Sequence, residues 1–285
     1  MASTILIMGC GDVGSAYGQR MAARGHRVVG VKRHLNNLPQ GIEGIAMDVA
    51  SREALSMLPD ADILVYAISA DKFEEDAYQR AYPDGLDAVL NEFEQRGHPL
   101  RHVFFVSSTS VYPQVNGEVV NETTPTEPQR FSGQLMLKAE QRLLESTING
   151  SVVRFSGIYG PGRERLINQV RDGFYAPETP QVYTNRIHRD DAAGVLAFLT
   201  ERALGGTSLE DIYLASDGES APLHDVMAWL ARRLNVTPSQ TAPSSTRRRS
   251  NKRCSSQRLR ALGYRFSYPS FREGYEQVLA NEQLG

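Results

Sequence analysis

The chain has 285 residues, 41% of them hydrophobic and 22% charged, with a formal net charge of -2 at pH 7. That length can bury a sizeable core as one two-lobed unit or two small domains, and the near-neutral charge points neither to nucleic acid nor to an anionic membrane surface. There is no apolar run near the roughly 20 residues of a membrane span and no basic, apolar leader, and the two cysteines, Cys10 and Cys254, make neither a disulfide framework nor a metal pair, so a reducing cytoplasm is the expected location.

The first element is the apolar run Ile5-Leu6-Ile7-Met8, which stops at Gly9; Gly11 and Gly14 follow in G-x-G-x-x-G spacing. Val13, Ala16, Tyr17 and Met21 then recur at helical intervals. This predicts strand, tight turn and helix of a dinucleotide-binding unit. Gly9 allows the turn, Gly11 lets backbone approach a pyrophosphate, and Gly14 lets helix pack on strand. The N–H groups that open the helix, from Asp12 and Val13 onward, then face the phosphates. Cys10, inside the turn, reads as a packing residue.

His26 to Val31 reads as the second strand, ended by Lys32 and Arg33. They fall about twenty residues past the glycine turn, where an acid would grip the ribose 2′-hydroxyl of NAD. Two cations there would instead attract a 2′-phosphate, so NADP(H) is expected over NAD(H), and Arg33→Asp should shift preference toward NAD. Gly44 to Val49 reads as a third strand. Its Asp48, next to Val49, either bonds an adenine amino group or caps the following helix. Ala61 to Ile68 is a nearly continuous apolar fourth strand whose end, with Tyr66 and Ala67, should line the cofactor cleft. Tyr78 to Phe93 carries a helical apolar face, and Pro83 within it should kink the helix or begin a new segment.

His102 to Ser108 is the fifth strand, running into the hydroxyl cluster Ser107-Ser108-Thr109-Ser110 and then Val111-Tyr112. The carboxyl edge of an open α/β sheet is where ligands bind; a turn making local backbone hydrogen bonds is the alternative. A polar loop (116–129) precedes a helix over Ser132 to Leu144. Gly150 to Tyr159, containing Ile158, reads as a sixth strand broken by Gly160-Pro161-Gly162-Arg163. Strand and helix alternate from residue 4 onward, the signature of a doubly wound α/β parallel sheet, with a Rossmann domain over 1–162 that also takes 184–215 into its sheet layer, and a smaller C-terminal substrate lobe mainly over 163–285. Within the latter, Asn185 to Asp191 reads as a dense polar turn, Asp190 to Thr200 as a helix, Asp211 to Ala215 as a strand and Leu223 to Leu234 as an amphipathic helix. Residues 237–245 are Ser-, Thr- and Pro-rich and expected to be mobile. The basic run Arg247, Arg248, Arg249, Lys252, Arg253 is either a solvated face or an anion clamp. No metal-ligand spacing is present.

Gly9 to Gly14, Asp48-Val49, S-S-T-S-V-Y over Ser107 to Tyr112, Lys138-Ala139-Glu140, R-F-S-G-I-Y-G-P-G-R over Arg154 to Arg163, and His188 to Asp191 together resemble the extended short-chain dehydrogenase/reductase superfamily, the NAD-dependent epimerase/dehydratase group. In that family a serine, a tyrosine and a lysine act with the nicotinamide: tyrosine passes a proton, lysine holds ribose and lowers the tyrosine's pKa, and serine bonds the reacting oxygen. The resemblance matches Ser108 to the serine and Lys138 to the lysine, and leaves Gln134 at the tyrosine position. A carboxamide cannot cycle a proton at accessible pH. Both this and the tight glycine turn resemble the superfamily's atypical branch.

Two functions follow. The first is an NADP(H)-dependent oxidoreductase or epimerase acting on a carbonyl or hydroxyl compound, a nucleotide-linked sugar among the candidates, with a substitute acid. Tyr112 is the leading choice, Tyr159 or a water on Ser108 the others; Tyr112→Phe should then cut turnover and spare cofactor binding. The second is a non-catalytic NADP(H)-sensing protein. Ser108, Gln134, Arg163, Asn185, Arg186 and His188 are the expected substrate contacts, and the resemblance implies a homodimer through helices of the sheet layer.

Overall fold

A computed structural model describes residues 2–49, 52–97, 100–241 and 250–282, the side chains of Arg52, Glu53 and Glu282 excepted. Residues 242–249, which include Arg247, Arg248 and Arg249 of the basic run, lie outside the described residues. In chain order the elements are β1 (Thr4–Met8), α1 (Asp12–Ala22), β2 (Arg27–Lys32), β3 (Glu43–Ala46), β4 (Ile63–Tyr66), α2 (Glu75–Gln79), α3 (Gly85–Glu94), β5 (His102–Ser108), β6 (Glu118–Val120), α4 (Phe131–Leu144) and β7 (Gly150–Phe155). There follow β8 (Gly157–Tyr159), α5 (Arg165–Arg171), β9 (Phe174–Tyr175), β10 (Tyr183–Thr184), β11 (Arg186–His188), α6 (Arg189–Leu204), β12 (Ile212–Ala215), β13 (Ala221–Pro222), α7 (Leu223–Leu234), β14 (Gln240–Thr241), β15 (Lys252–Cys254), α8 (Gln257–Ala261) and α9 (Phe271–Glu282).

Seven strands form one parallel sheet in the order β12-β7-β5-β4-β1-β2-β3. β1, β2, β4 and β5 are apolar runs because both of their faces are covered; every residue of β4 is buried. The order reverses between β1 and β4, which pair in register Ile5–Ile63 to Met8–Tyr66, so the crevice of a doubly wound sheet opens at their carboxyl ends.

The chain forms two compact units. One comprises Met1–Val111, Thr126–Arg154 and Ala192–Tyr213; the other comprises Tyr112–Pro125, Phe155–Asp191 and Leu214–Gly285. The second has its own apolar core, in which Ile167 and Val170 of α5, Val226 and Leu230 of α7 and Phe271 and Val278 of α9 are buried together. None of the described helices is long and apolar enough to cross a membrane.

Two sequence expectations change here. Gly150 to Tyr159 is not one strand: β7 stays in the main sheet, whereas β8 pairs in parallel with β11, Ile158 opposite Ile187. Accordingly the segment from Asn185 is not the dense polar turn expected, since Arg186, Ile187 and His188 form a strand buried at all three positions. Pro83 does divide its helix. It sits in a π-helical turn over Arg80–Asp84 between α2 and α3, and the Tyr66 phenol donates to the Ala81 carbonyl at 2.7 Å. Proline has no N–H to give the ladder, and the wider turn absorbs the mismatch.

Candidate functional site

The glycine turn is closed mainly by backbone, with the Ser15 hydroxyl also donating to Cys10 O at 3.3 Å. Gly9 N and Cys10 N donate to Val31 O at 3.0 and 2.9 Å, and Gly11 N donates to Gly9 O at 2.8 Å. Gly9 lies at φ +89°, and a Cβ there would stand 2.6 Å from Ile68 N, so only glycine fits. A Cβ on Gly14 would approach Gly9 O to 2.7 Å, which is the close helix–strand packing the motif requires. A Cβ on Gly11, by contrast, would meet no atom of the described residues within 4 Å. The room above Gly11 is therefore open to a group from outside the chain. Gly11 is also the N-cap of α1 and offers no side-chain hydrogen bond there, so the helix presents its amino end to that space. Cys10 Sγ packs where a Gly30 Cβ would lie only 2.7 Å away, and burial raises its thiol pKa; this is a packing residue.

From the turn a cleft of about 530 Å³ runs along the sheet's carboxyl edge. Gly9 and Gly11 line its floor, Lys32 and Arg33 one side, Asp48 and Val49 the far end, and Tyr66, Ala67 and Ile68 the other side. The Lys32 ammonium donates to Asn36 O at 3.3 Å, and the Arg33 guanidinium makes a two-pronged ion pair with Asp71 at 2.6 and 2.5 Å. Asp71 also lines the cleft.

The residues expected to do chemistry, Ser108, Tyr112 and Lys138, are not among those lining this cleft. Ser108 is half-buried, and its Oγ accepts the Ser110 N–H at 3.1 Å, a local turn contact. Ser107 is buried and donates to Glu140, which takes Arg154 at 3.0 Å from Nε and 2.5 Å from Nη2. Glu140 and Arg154 are both almost wholly buried. They bind α4 to β5 and β7 from within.

The phase of α4 is seen in its burial. Its buried stripe is Ser132, Gly133, Met136, Ala139, Glu140 and Leu143. Gln134 and Lys138 are exposed. At about 100° per residue they project from the side opposite that stripe. They lie away from the buried face on which Glu140 meets Ser107, and no pair of residues four apart on that stripe contains a tyrosine or a lysine. The inward positions at that spacing are Ser132–Met136, Met136–Glu140 and Ala139–Leu143.

In the second unit, Tyr112 is only 2% exposed and its hydroxyl donates to Asn121 O at 2.8 Å, while its own carbonyl accepts the buried Lys252 ammonium at 3.0 Å. Asn185 is fully engaged: Nδ2 donates to Lys252 O, and Oδ1 accepts Ser220 Oγ and Cys254 N, each at 2.8 Å. His188 is wholly buried, its Nδ1 3.2 Å from the Asp190 N–H and its Nε2 3.1 Å from Gln277 Oε1. Burial lowers its pKa. Arg186 is buried over the rings of Phe271 and Tyr275. Only Arg163, of the expected substrate contacts in this unit, is exposed. Tyr159 is buried, its hydroxyl has no hydrogen-bond partner among the described residues, and burial raises its pKa strongly.

Sequence reasoning missed Asp71 and Asp217. Asp217 is 2% exposed, and burial pushes its carboxyl up to about 7 against the opposing pull of Arg186. The folded protein thus keeps a proton that an unfolded carboxylate has already released. That stability is full below about pH 4 and lost as pH rises through about 7, with a ceiling of about 4 kcal/mol. Asp217→Asn keeps the acceptor for Glu219 N–H and is expected to raise the melting temperature at pH 8 by several degrees and to change it little at pH 4. Thermal melts at the two pH values check this.

A seven-stranded parallel sheet with a glycine turn at its switch point defines a Rossmann-type α/β protein. A family model, the RmlD substrate binding domain, matches residues 3–284. The chain belongs to that family, and with it to the extended short-chain dehydrogenase/reductase superfamily. Among solved structures, one from Methylobacillus flagellatus, described as an NAD-dependent epimerase/dehydratase, is 37% identical, with 99% of this chain and 100% of that chain covered and a TM-score of 0.82. The human epimerase family protein SDR39U1 (isoform 2) with NADPH shares the fold at 19% identity, 98% and 99% coverage and a TM-score of 0.80. MoeE5 in complex with UDP-glucose and NAD does so at 20% identity, 99% and 100% coverage and a TM-score of 0.79. A comparison with curated proteins finds no match.

Proposed function

We propose that this chain binds NADP(H) in preference to NAD(H) along the β1–β2–β4 cleft and works as an NADP(H)-sensing protein without the superfamily's tyrosine–lysine proton relay. The observation that carries the cofactor half is the open space over Gly11 in a cleft whose side bears Lys32 and Arg33. Backbone amides at the turn and the α1 amino end would hold the pyrophosphate. Lys32 and Arg33 would hold a 2′-phosphate. Asp48 and Val49 would lie at the adenosine end. When bound, the nicotinamide supplies hydride chemistry; the residues described here supply binding and orientation.

The sensing half is supported by α4. A proton relay needs a phenol and an ammonium one turn apart, and the residue one turn before Lys138 is Gln134, a carboxamide that cannot cycle a proton. Tyr112 is a poor substitute because its hydroxyl already donates to Asn121 O. We expect Tyr112→Phe to cost on the order of 1 kcal/mol of stability, the net worth of one buried hydrogen bond, and to leave NADPH affinity within twofold of wild type.

The oxidoreductase or epimerase reading, on a carbonyl or hydroxyl compound such as a nucleotide-linked sugar, has its support in the relatives: MoeE5 was solved with UDP-glucose and NAD. One experiment separates the two. Purified protein is titrated calorimetrically with NADPH and NADP⁺, then incubated with NADPH and a carbonyl panel while reduced-nicotinamide absorbance is followed. Tight binding with no absorbance loss supports sensing. Loss with any panel member removes the sensing half. No heat with either cofactor form removes the proposal altogether.

A further inference from the structure

The cleft is bridged at its mouth by a contact that the cofactor reading leaves unexplained. Arg33 follows β2 and Asp71 lies in the segment after β4, and these strands flank β1 on its two sides. Their two-pronged ion pair, at 2.6 and 2.5 Å, therefore spans the carboxyl end of β1, where the glycine turn sits. Both residues line the cleft. Asp71 is pinned on either side. Ala70 N donates to Tyr82 Oη at 3.4 Å, and the Phe73 ring packs on Phe131 and Tyr78 with centroids 5.0 and 5.6 Å away.

We propose that Asp71 is a cofactor-specificity residue: it holds Arg33 in the manner of a 2′-phosphate, forming a latch over the glycine turn that NADP(H) opens by exchange and NAD(H) leaves intact. The inference rests on the dinucleotide reading above. A carboxylate and a phosphate monoester present the same pair of acceptor oxygens to a guanidinium, but the phosphate carries close to two charges. The side chains are 54% and 58% exposed, so the ion pair is screened and weak and a more highly charged anion displaces it easily. NAD(H) brings no anion to this position. Arg33 then stays with Asp71, and the latch closes over the bound adenosine. Asp48, also beside Arg33, faces it from the β3 side and is untouched by this exchange.

The test is calorimetric titration of wild type, Asp71→Asn and Asp71→Ala with NADPH and with NADH at one ionic strength, on proteins of matching circular dichroism and melting temperature. The expected result is NADPH binding two- to fivefold tighter in both variants, with NADH binding unchanged or weaker, so that the NADPH preference grows. An unchanged preference, or weaker NADPH binding, in variants that fold as wild type overturns the latch while leaving the cofactor reading in place. A wild type that binds neither dinucleotide is a failure of the cofactor reading itself, and the latch falls with it.

Discussion

Glu140→Ala is expected to destabilise the protein by about 3–5 kcal/mol, the cost of leaving one partner of a buried ion pair alone. Arg154 is 3% exposed and has two guanidinium nitrogens on Glu140, so removal of the carboxylate strands a charge in a site that water does not reach. Ser107 loses its acceptor at the same time. For a chain of this size the loss corresponds to roughly 10 °C in melting temperature. Glu140→Met combined with Arg154→Met fills the same volume with apolar atoms and should recover most of the loss, because the desolvation of both charges disappears together. Thermal melts of the single and double variants decide the matter; a single variant within 1 kcal/mol of wild type would show that the pair does not hold α4 on the sheet.

Arg33→Ala is expected to weaken NADPH binding about 10- to 100-fold and NADH binding less than threefold. The first figure is the worth of a two-pronged, charge-assisted contact, 1.5–3 kcal/mol in round terms. The second is small because the NAD ribose offers Arg33 no anion. Arg33→Asp goes further: it sets a carboxylate where the 2′-phosphate arrives, and preference should invert toward NADH. Calorimetric titration with both dinucleotides measures each ratio. Equal losses for the two would mean that Arg33 contributes only general positive charge, and the assignment of NADP(H) would not survive.

Much of the site was legible in advance because it is local. The turn from Met8 to Gly14 depends on which residues lack a side chain, and that is visible in the letters. The end of β2 at Lys32-Arg33 and the end of β4 at Tyr66-Ala67 follow from two apolar runs and where they stop, and these residues do line one cleft. The phase of α4 was not legible. Gln134 and Lys138 are one turn apart, as a relay requires, but so are Ser132 and Met136, and spacing cannot say which pair faces inward. The buried Glu140 was the available clue. A carboxylate on the stripe of Ser132, Met136 and Leu143, and an arginine inside the apolar run V-V-R-F, are two charges of opposite sign at core positions, and burial demands that they meet.

By itself, then, the sequence determined the alternating strands and helices, the glycine cradle and the basic end of β2, since each is written in the periodicity or composition of a few consecutive residues. Tertiary structure alone decided that Lys138 lies on the exposed side of α4, that His188 is interior and Asn185 is tied by hydrogen bonds to Lys252, Cys254 and Ser220, that β8 leaves the main sheet for β11, and that Asp71 closes on Arg33. These are relations between segments as much as 89 positions apart in the chain. Only the packing of one element on another sets which of several equivalent local geometries is used.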